Sequence, residues 1–106
     1  MNFIVEQNEQ EIIRDGASHL FNFIAVGGTI VLTNKRLIFE SHSVLKYKHH
    51  IAINLKDISR LDYFKTMLIN PNGLSFMMKN GNIEHFVFDD RVSWYNRIEK
   101  LIKQLA

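Results

Sequence analysis

From Gly28 to Glu40 the chain reads Gly-Thr-Ile-Val-Leu-Thr-Asn-Lys-Arg-Leu-Ile-Phe-Glu, two β-branched and aromatic runs on either side of a short polar break. Runs of this kind, bounded by turn residues, form strands, and a turn at Asn34-Lys35 sets Leu32 against Leu37, Ile30 against Phe39 and Val31 against Ile38. Side chains alternate between faces along a strand, so Leu32/Leu37 and Ile30/Phe39 define a core face. The opposite face then carries Thr29, Thr33, Arg36 and Glu40 around the single apolar pair Val31/Ile38.

Before this hairpin, Phe3-Ile4-Val5 is a short apolar arm, and Asn8 with Glu11 three residues on has the spacing of a capping box. That spacing predicts one or two helical turns ending at Asp15-Gly16. Ala17 to Phe23 alternates, with His19, Phe21 and Phe23 opposite Ser18, Leu20 and Asn22, and reads as the first strand. Ile24 to Gly28 then links it to the hairpin. Lys46 to Ile53 is a fourth strand with its apolar phase at Ile51 and Ile53, and Leu55 to Ile58 is a turn that aims Leu55 and Ile58 inward. Ser59 to Ile69 supplies a fifth strand. It closes at Asn70-Pro71-Asn72-Gly73, where proline fixes φ and Gly73 is expected in the positive-φ slot.

The next two strands, Leu74–Lys79 and Ile83–Phe88, meet at Asn80-Gly81, and phase decides the loop. A two-residue loop turns Phe86 and Phe88 away from Leu74 and Phe76, which forfeits about 1.5–3 kcal/mol for each exposed ring. A three-residue loop with Gly81 left-handed pairs Met78 with Asn82 and brings all four to one face. After Asp89 or Asp90 as cap, a helix over about 90–105 carries Trp94, Ile98, Leu101 and Leu105 as one stripe, with Tyr95 and Ile102 beside it.

The run Leu-Thr-Asn-Lys-Arg-Leu-Ile-Phe after a glycine and an apolar strand resembles the signature of the GRAM domain. Glu11-Ile12-Ile13, Leu55-Lys56-Asp57-Ile58 and Phe86-Val87-Phe88 ahead of the tryptophan-bearing helix fit in order, so the resemblance spans roughly residues 9 to 103. It implies a mainly β (α+β) chain forming one domain over 1–106. The expected fold is a pleckstrin-homology-like barrel of about seven antiparallel strands in two orthogonal sheets, capped by a C-terminal α-helix. It also implies a binding module rather than an enzyme, although a fold alone does not fix a function.

Composition narrows this little further. At 106 residues, 46% of them hydrophobic and 23% charged, the chain has the make-up of an ordinary globular domain, and a net charge of +2 gives no general pull on polyanions. There are no cysteines, which removes disulfides, thiolate metal sites and cysteine nucleophiles and fits a cytoplasmic chain. The greasy span from Leu20 to Leu32 is broken by Asn22, Gly27 and Gly28 and falls short of the roughly 20 apolar residues that cross a bilayer.

No catalytic constellation, cofactor motif or metal cluster is present in the sequence pattern. Gly27-Gly28 lacks a following lysine-serine pair, and His49 and His50, as neighbours on a strand, point to opposite faces. Two candidate surfaces remain. Phe23, Ile24 and Val26, with Val31 and Ile38, form an apolar patch that is either covered by the Phe3–Val5 arm or used for protein interaction or self-association into a homo-oligomer. Lys46, Tyr47, Lys48, His49 and His50 form a basic, aromatic patch suited to an anionic phospholipid head group at the inner face of a membrane. Nucleic acid would demand a broader basic surface. The loop between the first two strands, where relatives of this fold hold phosphoinositides through basic residues, has no lysine or arginine between His19 and Thr29.

Overall fold

The computed structural model describes residues 3–21, 24–42, 49–64 and 72–105. In chain order these form β1 (Glu11–Phe21), β2 (Ile24–Thr33), β3 (Arg36–Ser41), β4 (His50–Asn54), a 3-10 turn (Leu55–Asp57), β5 (Ile58–Phe64), β6 (Gly73–Met78), β7 (Ile83–Phe88) and α1 (Arg91–Leu105). The described strands make one antiparallel sheet of order β4-β3-β2-β1-β7-β6-β5. The two expected sheets are therefore one. β1 pairs with β2 along its whole length and with β7 through Ala17–Leu20, so it belongs to both halves.

The central hairpin has the register its residues dictate, with Leu32 opposite Leu37, Val31 opposite Ile38 and Ile30 opposite Phe39. Gly28 is the one glycine that this pairing requires. A Cβ there would run into the Glu40 carbonyl oxygen and sit 2.7 Å from the Phe39 ring, and β2 continues through Ile24–Gly28, where a link was expected, because β1 is laddered to it as far as Phe21–Ile24. The expected helical turns at Asn8–Gly16 are also strand. From Glu11 onward the chain is laddered to β2, and Glu11, instead of turning back on Asn8, lies 2.6 Å from the Arg14 guanidinium.

At the other hairpin the three-residue loop holds. Gly81 has φ +93°, Met78 N–H donates to the Asn82 carbonyl at 2.8 Å, and Leu74 stands opposite Phe86. Leu74, Phe76, Phe86 and Phe88 are all buried on one face. Gly73 departs from expectation. It does not take a positive φ but opens β6 opposite Phe64, whose ring would lie 2.5 Å from a Cβ at that position. Asn70 and Pro71 lie outside the described residues.

The inner face of the sheet and α1 enclose one apolar core. Leu55 points into it from the 3-10 turn and Ile58 from the start of β5, as their spacing requires, and so does Ile53 from β4. Asp90 caps α1, accepting the Ser93 N–H at 3.2 Å. Trp94 stacks on Phe88 at 5.0 Å between centroids and Ile98 is buried behind it. Leu101, Ile102 and Tyr95 pack at the margin, and Leu105, expected on the buried stripe, is 50% exposed because it lies in the helix's last turn.

Candidate functional site

The outer face of the β2–β3 hairpin comes first, because it decides how much apolar surface is available. Arg36 and Thr33 lie on that face with Val31 and Ile38, and the N-terminal arm is bound to both polar residues. The Arg36 guanidinium donates from Nε to Glu9 Oε2 at 2.8 Å, from Nη2 to Glu9 Oε1 at 2.7 Å and from Nη2 to the Ile4 carbonyl at 2.8 Å. Phe3 lies under it with its centroid 5.8 Å from Cζ. Thr33 Oγ1 donates to Glu9 Oε2 at 2.7 Å. The Arg36 hydrogen bonds pull the Glu9 carboxyl down to about 2, against the opposing effect of burial. Val31 and Ile38 are fully buried, so neither belongs to the exposed patch expected of them.

What stays exposed lies at the far end of β1 and β2. Phe21 and Ile24 are partners across the turn, 52% and 64% exposed, and Val26 is half-buried. Phe23 lies outside the described residues. Phe21 was not among the candidates from sequence. Alternation puts it on the same face as His19, and its ring does lie 6.3 Å from that of His19, yet at the end of β1 it is 52% exposed.

The expected basic patch divides. Lys46, Tyr47 and Lys48 lie outside the described residues. His50 is exposed and pairs across to Glu40, whereas His49 turns inward, the opposite facing that neighbouring strand residues must have. Its ring meets that of His19 edge to edge, with centroids 4.7 Å apart, and approaches Phe21 at 5.4 Å, which seats the start of β4 beside the end of β1.

His19 is the most deeply buried ionisable ring, 2% exposed among Phe39, Phe86 and His49. Its Nδ1 lies 2.6 Å from His49 Nε2 and its Nε2 lies 2.6 Å from Glu84 Oε2. Burial, followed by the neighbouring His19, lowers the His49 pKa below its ordinary value. Sequence gave no sign of this chain of groups, because its members come from β1, the lead-in to β4 and β7.

The other polar side chains have cross-strand partners: Thr29 Oγ1 with His42 Nε2 at 2.8 Å, and Ser75 Oγ with His85 Nδ1 at 2.9 Å. Two shallow hollows mark the surface. One of about 280 Å³ lies between Gly16–Ser18, Gly27–Gly28, His42 and Asp89, and one of about 380 Å³ lies between Glu6, Lys35, Asn54, Lys56 and Leu105. Among the described residues no group of three or more His, Asp or Glu side chains is placed to hold a metal ion, and no helix is long and apolar enough to cross a membrane.

Comparison with known proteins bears on the fold and the family. No curated protein matches the sequence. Among solved structures the chain is similar to the C-terminal domain of an unknown protein from Leishmania infantum, at 14% identity and TM-score 0.77 over 91% of this chain and 86% of that one. It is similar to the Slm1-PH domain solved with phosphoserine, at 17% identity and TM-score 0.70 over 88% and 96%. It also matches the linker-DH/PH domains of p115-RhoGEF, at 10% identity and TM-score 0.74 over 95% of this chain and 32% of that one. Identities this low speak for the fold alone, which is pleckstrin-homology-like. The GRAM domain family model matches residues 2–106, and the chain belongs to the GRAM domain family, whose members are lipid- and protein-binding modules.

Proposed function

We propose that this GRAM domain is a non-enzymatic, peripheral module that docks on an anionic membrane surface with the β1–β2 tip leading. The observation that carries the reading is the pair Phe21 and Ile24, cross-strand neighbours at the end of a hairpin and both more than half exposed. Burying two such side chains in the acyl boundary contributes about 3–6 kcal/mol in all, and each lysine near an anionic leaflet adds about 1 kcal/mol. The start of β4 sits against this tip, and the sequence feeding it carries Lys46 and Lys48. Together these terms suit reversible docking rather than permanent anchoring.

Self-association is the weaker reading, because Val31 and Ile38, part of the surface it would use, are buried. Two tip residues alone also fall well short of the roughly 1,200 Å² that a stable interface buries. Slm1-PH was solved in complex with phosphoserine and with inositol-4-phosphate, which supports an anionic head group as the class of ligand. On this reading the chain acts as a single domain at the inner face of a membrane.

Co-sedimentation with phosphatidylcholine vesicles, with and without phosphatidylserine, tests it. The protein should pellet with the anionic vesicles, and Phe21→Ser/Ile24→Ser should weaken binding by roughly tenfold or more for each side chain while leaving circular dichroism unchanged. Binding that is indifferent to anionic lipid, or a double variant that binds as the parent does, overturns it.

A further inference from the structure

The Glu84–His19–His49 chain has a property that none of its members has alone: the gap between the two imidazoles holds one proton. At 2.6 Å, His19 Nδ1 and His49 Nε2 are close enough only if one donates and the other accepts. With both rings neutral, His49 donates to His19, and His19 Nε2–H donates to Glu84. One added proton fits as well, because an imidazolium at His19 donates in both directions, to Glu84 and to His49. A second added proton, on His49 Nε2, would point two N–H groups at each other across the same 2.6 Å.

We propose that this chain of groups is a proton-operated latch, which clamps the start of β4 to β1 at neutral pH and lets it go when both imidazoles are charged. The partner that moves is set by the fold. His19 lies near the end of β1, laddered to Val26 of β2 on one side and Phe86 of β7 on the other. His49 stands before the edge strand β4, held by its own N–H to Ser41 Oγ at 2.9 Å and by the Ser41 N–H to its carbonyl at 2.8 Å. The groups facing the pair are few: β1 gives His19 and Phe21, β3 gives Phe39, and β7 gives Phe86 and Glu84, while His85 turns to Ser75 and His50 lies on the other face beside Glu40. Among the described residues of these elements Glu84 is the acid that faces the pair, through His19 Nε2 at 2.6 Å, and it stabilises one added charge. The charge that opens the latch arises on His49 at the flank of the tip, where its ring approaches Phe21 at 5.4 Å, so acid strengthens the tip's grip on anionic lipid; this last link rests on the membrane reading above.

The sign follows from His49, whose folded pKa lies below the ordinary 6.5. Its neutral form stabilises the clamp fully above about pH 6.5, and that stabilisation is lost as the pH falls below it.

The test needs no lipid in its first arm. Long-range ¹H–¹⁵N spectra of the imidazoles, with amide exchange, should show His49 becoming an imidazolium below pH 6.5 as protection of the Ser41 and His49 amides falls roughly tenfold. In His49→Phe, which keeps a ring against His19 and Phe21 but takes no proton, that pH response should vanish. Independent titration of the two rings with unchanged amide protection overturns the latch, whatever vesicles do. In the second arm, phosphatidylserine vesicles should bind the parent more tightly at about pH 5.5 than at pH 7.5, and His49→Phe should lose most of that gain. Opening seen by exchange without a vesicle response overturns the coupling to the membrane and leaves the latch standing.

Discussion

Replacing Glu9 by glutamine removes the charge that pins the N-terminal arm and leaves its shape. The Glu9 carboxylate accepts from Arg36 Nη2 at 2.7 Å and Glu6 N–H at 2.9 Å on Oε1, and from Arg36 Nε at 2.8 Å and Thr33 Oγ1 at 2.7 Å on Oε2. An amide must turn its NH₂ toward one set of these donors, so the variant either keeps a guanidinium half-partnered or lets the arm peel away. The first course leaves the guanidinium with the Glu6 carboxylate at 3.9 Å and the Ile4 carbonyl but without its short carboxylate partner, at about 3 kcal/mol. The second gives up the bidentate Arg36–Glu9 contact, at about 1.5–3 kcal/mol for each of its hydrogen bonds. The cheaper course wins, and both point to a loss near 3 kcal/mol at pH 7, a large share of the 5–15 kcal/mol typical of a domain.

Urea unfolding followed by circular dichroism measures the loss, and pH separates its cause. Glu9's folded pKa of about 2 lies below its unfolded 4.5, so the carboxylate's contribution is complete above pH 4.5 and disappears as the pH falls from 4.5 toward 2. The gap between parent and Glu9→Gln should close over that window. A variant within about 0.5 kcal/mol of the parent at pH 7, the range of ordinary surface changes, or a gap that stays constant down to pH 2, would refute the strap.

Two further substitutions probe the frame that carries the tip. Gly28→Ala should cost about 2 kcal/mol or more in urea unfolding, because the new methyl meets the Glu40 carbonyl, whereas Gly27→Ala, with nothing within 4 Å of its Cβ, should change stability by less than about 0.5 kcal/mol. Tyr63→Ala removes a ring that stacks on Tyr95 at 4.6 Å and lies 4.5 Å beneath the Arg91 guanidinium. It should lower stability by about 1–2 kcal/mol and speed amide exchange in α1 ahead of the strands.

The parts of this fold that could be read from sequence are those where one face must be apolar. Ile30/Phe39 and Leu32/Leu37 fix the central register, Leu74, Phe76, Phe86 and Phe88 fix the loop at Gly81, and Trp94 with Ile98 fixes the helix face, because slipping any of them by one residue wets large side chains. Glu11–Gly16 was misread for the converse reason. Its side chains are mostly exposed, so local capping signals stood unopposed until β2 supplied a ladder. The strap and the latch were invisible because they are polar and non-local: Arg36 meets Glu9 across 27 residues, and His19 meets Glu84 across 65. Ile24 was legible in the apolar run it shares with Phe23 and Val26, whereas Phe21 was not, because alternation set it with His19 on an inner face.

The most direct measurement is the depth of the tip in a bilayer. The chain has no cysteine, so Ile24→Cys accepts a single environment-sensitive fluorophore. With phosphatidylserine vesicles its emission should shift to the blue and be quenched by brominated acyl chains, with no change on neutral vesicles. Emission that stays that of water at saturating anionic vesicles would contradict membrane docking through this tip.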